Sequence, residues 1–151
     1  MRSIATLPAR RAALTPLLAA AASLLTGCML FAKPPADLDY SRTRTSEAGR
    51  YRATITPEGD SIPTGKLQRW TLHLETAAGA PVDGGCTITV DGGMPQHGHG
   101  LPTTPRVTRQ LGHGDHLVEG MKFNMGGWWV VKFRVASASA GADSVVFNLE
   151  L

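Results

Sequence analysis

From Arg50 to Leu151, apolar and polar residues alternate in short runs, and glycine or proline interrupts each run. A period of two sends successive side chains to opposite faces of an extended strand, whereas an amphipathic helix needs a period near 3.6. Tyr51, Ala53 and Ile55 alternate with Arg52, Thr54 and Thr56. Within Leu67–Thr76, Trp70, Leu72 and Leu74 share a face. Cys86, Ile88 and Val90 share another, and Val107 sits between Arg106 and Thr108. His116–Phe123 is a further strand candidate. Trp129, Val131, Phe133 and Val135 form one apolar set, and Val145, Phe147, Leu149 and Leu151 the last. The breaks lie at Pro57–Gly65, Ala77–Gly85, Gly112–Asp115, Gly126–Gly127 and Ser137–Gly141. No amphipathic helix follows residue 28. The pattern predicts an all-β chain of about seven short strands, spaced as in an immunoglobulin-like β-sandwich. A span of about 100 residues suffices for such a two-layer core.

The start of the chain is different. Arg2, Arg10 and Arg11 precede an apolar run from Leu14 to Leu25. That run is shorter than the roughly 20 residues a membrane-spanning helix needs, and the order is that of an export signal. It ends in Leu25-Thr26-Gly27-Cys28, which resembles the bacterial lipobox. The resemblance implies cleavage after residue 27, lipid on Cys28 and attachment to a membrane. Residue 29 is Met, not Asp, so the inner-membrane retention signal is missing and the outer membrane is expected. The expected organisation is a signal peptide over 1–27, a tether over 28–49 and the sandwich over 50–151. Residues 29–49 hold mixed charge and no period, as a tether would.

Charge excludes one partner class. Without Arg2, Arg10 and Arg11, the 15 Lys and Arg fall to 12, matching the 12 Asp and Glu. A chain with no net charge and no basic run carries no nucleic-acid footprint. With Cys28 acylated, Cys86 is the remaining thiol of the 2 cysteines, so no internal disulfide forms. Cys86 is read as a core side chain, with a copper thiolate as the alternative.

Chemistry concentrates between Met94 and Met125. This stretch holds His97, His99, His113 and His116, four of the 5 histidines, and Met94, Met121 and Met125 of the 5 methionines. His97 and His99 flank Gly98 in a loop dense in Gly and Pro, and in extended backbone they point the same way. Imidazole suits copper, zinc and nickel, and thioether sulfur selects Cu(I). The candidate is therefore a copper site of His97, His99 and Met94, with Met121 as a further donor. Met125 is assigned to core packing. His113 and His116 are assigned to a solvated turn, and His73 to a solvated strand face.

Three features carry a family resemblance: Met-Pro-x-His-x-His-Gly over Met94–Gly100, Leu-Val-Glu-Gly-Met over Leu117–Met121, and Gly127-x-Trp129 leading into an alternating strand. They resemble the YtkA-like and FixH-like group of small extracytoplasmic β-sandwich domains over roughly residues 67–151. The resemblance implies a periplasm-facing domain linked to copper handling or respiratory oxidase assembly, with an envelope or oxidase-assembly protein as partner. It implies no catalytic residues, and no nucleophile–base arrangement is found, so no enzyme is expected. The alternative is a metal-free sandwich that docks an envelope complex, with Trp128 as an outward-facing anchor.

Overall fold

The computed structural model describes residues 33–151. The expected export signal, Cys28 and the first part of the expected tether lie outside the described residues. The described chain is an all-β sandwich of nine antiparallel strands, two more than the sequence suggests. They are β1 (Thr43–Thr45), β2 (Tyr51–Pro57), β3 (Gln68–Thr76), β4 (Cys86–Met94), β5 (His99–Gly100), β6 (Arg106–Gly112), β7 (Asp115–Met121), β8 (Trp128–Ser137) and β9 (Gly141–Glu150). Their order across the sheet is β1-β2-β3-β7-β6-β4-β8-β9, with β5 on β4.

The ladder thins to one residue pair, Thr89 with Arg106, where β4 meets β6. There the sheet turns the corner between its two layers. On the opposite side the Glu47 amide donates to the Ser144 carbonyl at 2.8 Å and closes the sandwich. Asp143 reinforces that closure by accepting from the amides of Ala48 (3.1 Å), Arg50 (3.2 Å) and Ser144 (2.7 Å).

The alternation decides what lies between the layers. Tyr51, Ala53 and Ile55 of β2, Trp70, Leu72 and Leu74 of β3, Val118 of β7, Trp129, Val131, Phe133 and Val135 of β8, and Val145, Phe147 and Leu149 of β9 are buried. Burying such side chains contributes about 1.5–3 kcal/mol each for the aliphatic and Phe members. Tyr51 is fully buried because its hydroxyl finds Ser137 Oγ at 2.8 Å and the Gly141 carbonyl. Cys86, Ile88, Val90 and Val107 are only half-buried, because they line the thin β4–β6 corner.

Two short strands escaped the sequence reading. β1 lies inside the expected tether: Thr43–Thr45 pairs with Arg52–Thr54, Arg44 pairs with Asp39, and Asn148 Nδ2 donates to the Asp39 carbonyl. The folded unit therefore begins before Arg50, about a strand earlier than polarity indicated. β5 lies inside the Gly/Pro loop, where it returns against the end of β4.

Other expectations change at the histidines. His116 is not in a solvated turn. It is buried on β7, and its Nε2–H donates to the Val82 carbonyl at 2.7 Å. The turn itself is His113-Gly114, with Gly112 opposite Asp115 and positive φ at both loop residues (55° and 82°). That is the geometry of a two-residue type I′ hairpin. His73 stays on the outer face, with Nδ1 2.7 Å from Asp115 and Nε2 3.5 Å from Glu75.

Candidate functional site

β4 and β7 run the same way, so Met94 and Met121 end their strands at the same end of the sandwich. The histidine loop closes that end. β4 continues past Val90 through Gly92-Gly93-Met94, turns over residues 95–98, and returns as β5. The Met94 carbonyl accepts from the amides of His97 (3.1 Å) and Gly98 (3.0 Å), which tightens the turn. Gly93 lets the return strand approach: a Cβ there would stand 2.6 Å from the His99 carbonyl oxygen.

This hairpin brings His97 and His99 together, with ring centroids 5.8 Å apart and planes 20° from parallel. His99 in turn lies edge-on to Trp129 at 5.8 Å and 63°. Trp129 packs edge-on against Phe123 at 5.1 Å, and Phe123 stacks on Trp70 at 5.8 Å. An aromatic column thus rises from the core to the imidazole pair. Trp129, Phe123 and Trp70 are buried, His99 is half-buried and His97 is exposed. Fixed rings below hold the outer rings in place at little further entropy cost.

The methionines divide in a way the sequence did not indicate. Met94 is the direct cross-strand partner of His99, so both side chains leave the hairpin on one face, with Cβ atoms about 4.5–5.5 Å apart. Met94 is nevertheless 1% exposed and belongs to the core. Its Cε would lie 3.0 Å from a Cβ on Gly127, which explains a glycine there with φ of 114°. Met121 is fully buried, opposite Gln68 at the end of β7. Met125, assigned to the core from its sequence, is 42% exposed. Its carbonyl accepts from Trp129 Nε1 at 3.1 Å, so it borders the same indole as His99. The missed signal was the Gly126-Gly127 break, which puts Met125 in a loop where alternation no longer assigns a face.

Trp128 does not stand free as a docking anchor. It is half-buried on the outer face, and its Nε1 donates to Asn148 Oδ1 at 3.1 Å. Cys86 is half-buried at the β4–β6 corner. Burial pushes its thiol pKa up, so it stays a neutral thiol at neutral pH. Among the described residues, no group of three or more His, Cys, Asp and Glu is gathered to hold a metal ion. The imidazoles of His97 and His99 stand at this end of the sandwich, and of Met94, Met121 and Met125 only Met125 is exposed.

Fold and mouth together define a small antiparallel β-sandwich domain with a paired-histidine hairpin across one end. A family model described as YtkA-like matches residues 45–134, and the chain belongs to that family. Neither a curated protein nor a solved structure matches the chain.

Proposed function

We propose that this YtkA-like protein is a lipid-anchored envelope protein that binds copper through His97 and His99 and serves copper handling or oxidase assembly without catalysing a reaction. The observation that carries the reading is the imidazole pair itself. Its two rings are held side by side at 5.8 Å on an aromatic support, at an exposed end of a rigid sandwich. Neutral imidazoles accept copper in either oxidation state, and an exposed two-histidine site leaves coordination positions that a partner's ligands can fill. Such openness suits transfer of the ion to an envelope or oxidase-assembly partner. Lipid on Cys28 would keep the domain at the membrane, since each buried CH₂ adds about 0.8 kcal/mol.

A competition titration with copper tests the site. His97→Ala/His99→Ala should lose binding while its circular dichroism stays that of the parent. Equal binding by parent and variant would remove the copper reading and leave the metal-free docking domain in its place. Mass spectrometry and detergent partitioning of the exported protein test the anchor, and a water-soluble product with unmodified Cys28 would refute it.

A further inference from the structure

We propose that Met125 supplies the thioether of the mouth site and makes it selective for Cu(I), an inference that rests on His97 and His99 being the imidazole ligands. Three observations carry it. First, no third His, Cys, Asp or Glu joins the pair among the described residues, and the remaining soft side-chain donor for Cu(I) is the methionine thioether. Second, Met94 and Met121 are 1% and 0% exposed, and each fills space in the core; drawing either out to a surface ion would open a cavity behind it. Third, Met125 is 42% exposed, and its carbonyl is held by the Trp129 indole against which His99 packs.

That fixing is specific. Trp129 Nε1 donates to the Met125 carbonyl at 3.1 Å, and the same indole ring carries His99 at 5.8 Å. On one side Phe123 is locked between Trp70 and Trp129 and accepts from the Gly65 amide at 2.6 Å. On the other, Gly127 exchanges backbone bonds with Leu151 at 2.8 and 3.1 Å. The loop main chain is thus held on both sides of Met125, whose own side chain, with three rotatable bonds, is exposed. Exposing a large apolar side chain has no packing return here, and a role as a soft donor to an ion held by the imidazole pair would account for it. Two imidazoles alone bind either copper state; adding a thioether raises affinity for Cu(I) specifically.

The test compares Met125→Leu, Met94→Leu and His97→Ala/His99→Ala in Cu(I) competition titrations under anaerobic reducing conditions, with Cu(II) titrations beside them. Met125→Leu should weaken Cu(I) by about tenfold or more and shift Cu(II) by no more than about twofold. Its folding should be unchanged, since the side chain is exposed. The Cu(I) X-ray absorption spectrum should show a sulfur scatterer in the parent that Met125→Leu removes. If Met125→Leu binds Cu(I) like the parent while the histidine variant does not, the thioether assignment falls and the imidazole site stands. If Met94→Leu loses the sulfur scatterer instead, the assignment also falls. If none of the three variants changes Cu(I) binding, both the assignment and the site beneath it are refuted.

Discussion

Replacing Trp129 by alanine should cost far more than replacing its neighbour Trp128. Trp129 is fully buried, meets Phe123 at 5.1 Å and His99 at 5.8 Å, and donates to the Met125 carbonyl. A buried tryptophan hides about 150–250 Å². At about 25 cal/mol per Å² that is roughly 4–6 kcal/mol, an upper bound because the unfolded chain already hides some of it. Relaxation into the cavity brings the expectation to about 3–5 kcal/mol. The Met125 carbonyl adds little, since an exposed loop lets water replace the indole. Trp128 is half-buried with its one hydrogen bond to Asn148, so Trp128→Ala should cost about 1–2 kcal/mol. Urea unfolding followed by far-ultraviolet circular dichroism measures both, with equal m values required for the comparison. A second readout is specific to the mouth: Trp129→Ala removes the support of His99 and should weaken copper binding, which Trp128→Ala should leave intact. Equal costs at the two positions, or a cost at Trp129 below about 1 kcal/mol, would refute the assignment of faces on β8.

Three further outcomes follow from local geometry. Gly93→Ala places a Cβ 2.6 Å from the His99 carbonyl, so it should displace the hairpin, destabilise by about 1–3 kcal/mol and lower copper affinity; a variant with parental stability and affinity would show that the hairpin is not held there. Burial pushes the Asp143 carboxyl up, but hydrogen bonds from Ser46 and the amides of Ser144, Ala48 and Arg50 outweigh this and hold it at about 2. Its unfolded value is about 3.9, so its contribution is present above that pH and lost as pH falls toward 2; Asp143→Asn should flatten acid unfolding in that window, and an unchanged profile would refute the link. The Asp115 hydrogen bond, aided by Glu75, raises the His73 pKa against a smaller effect of burial. That contribution is fully present below the unfolded value of about 6.5 and lost as pH rises through the folded one, and it is small because the side chain is 37% exposed. An NMR titration of His73 that falls at or below the value of a free histidine would contradict the pairing.

Alternation was enough to read the sandwich, because burial on one face of a strand is a local, period-two demand. Trp70, Leu72, Trp129, Val131, Phe133 and Phe147 are all buried on the faces that their spacing assigns. The rings of His97 and His99 do come together, but by a different route from the extended backbone their spacing suggested: residues 95–98 form a turn, with Gly98 at a φ of 67°. β1 was not legible, because three polar residues become a strand only when β2 offers a free edge. His116 was misread because its buried polar ring is satisfied by Val82, thirty-four positions away in the chain. The three methionines show the limit most clearly. Met94, Met121 and Met125 are the same residue within one short stretch, and sequence position alone ranked Met94 first and Met125 last. Which methionine is exposed is decided by long-range packing: by Gly127 meeting Met94, by Leu151 pinning Gly127, and by the Trp129 indole holding the Met125 carbonyl. Local pattern determined that strands form and which face turns inward; only the closure of the two layers determined which side chains stand at their open end.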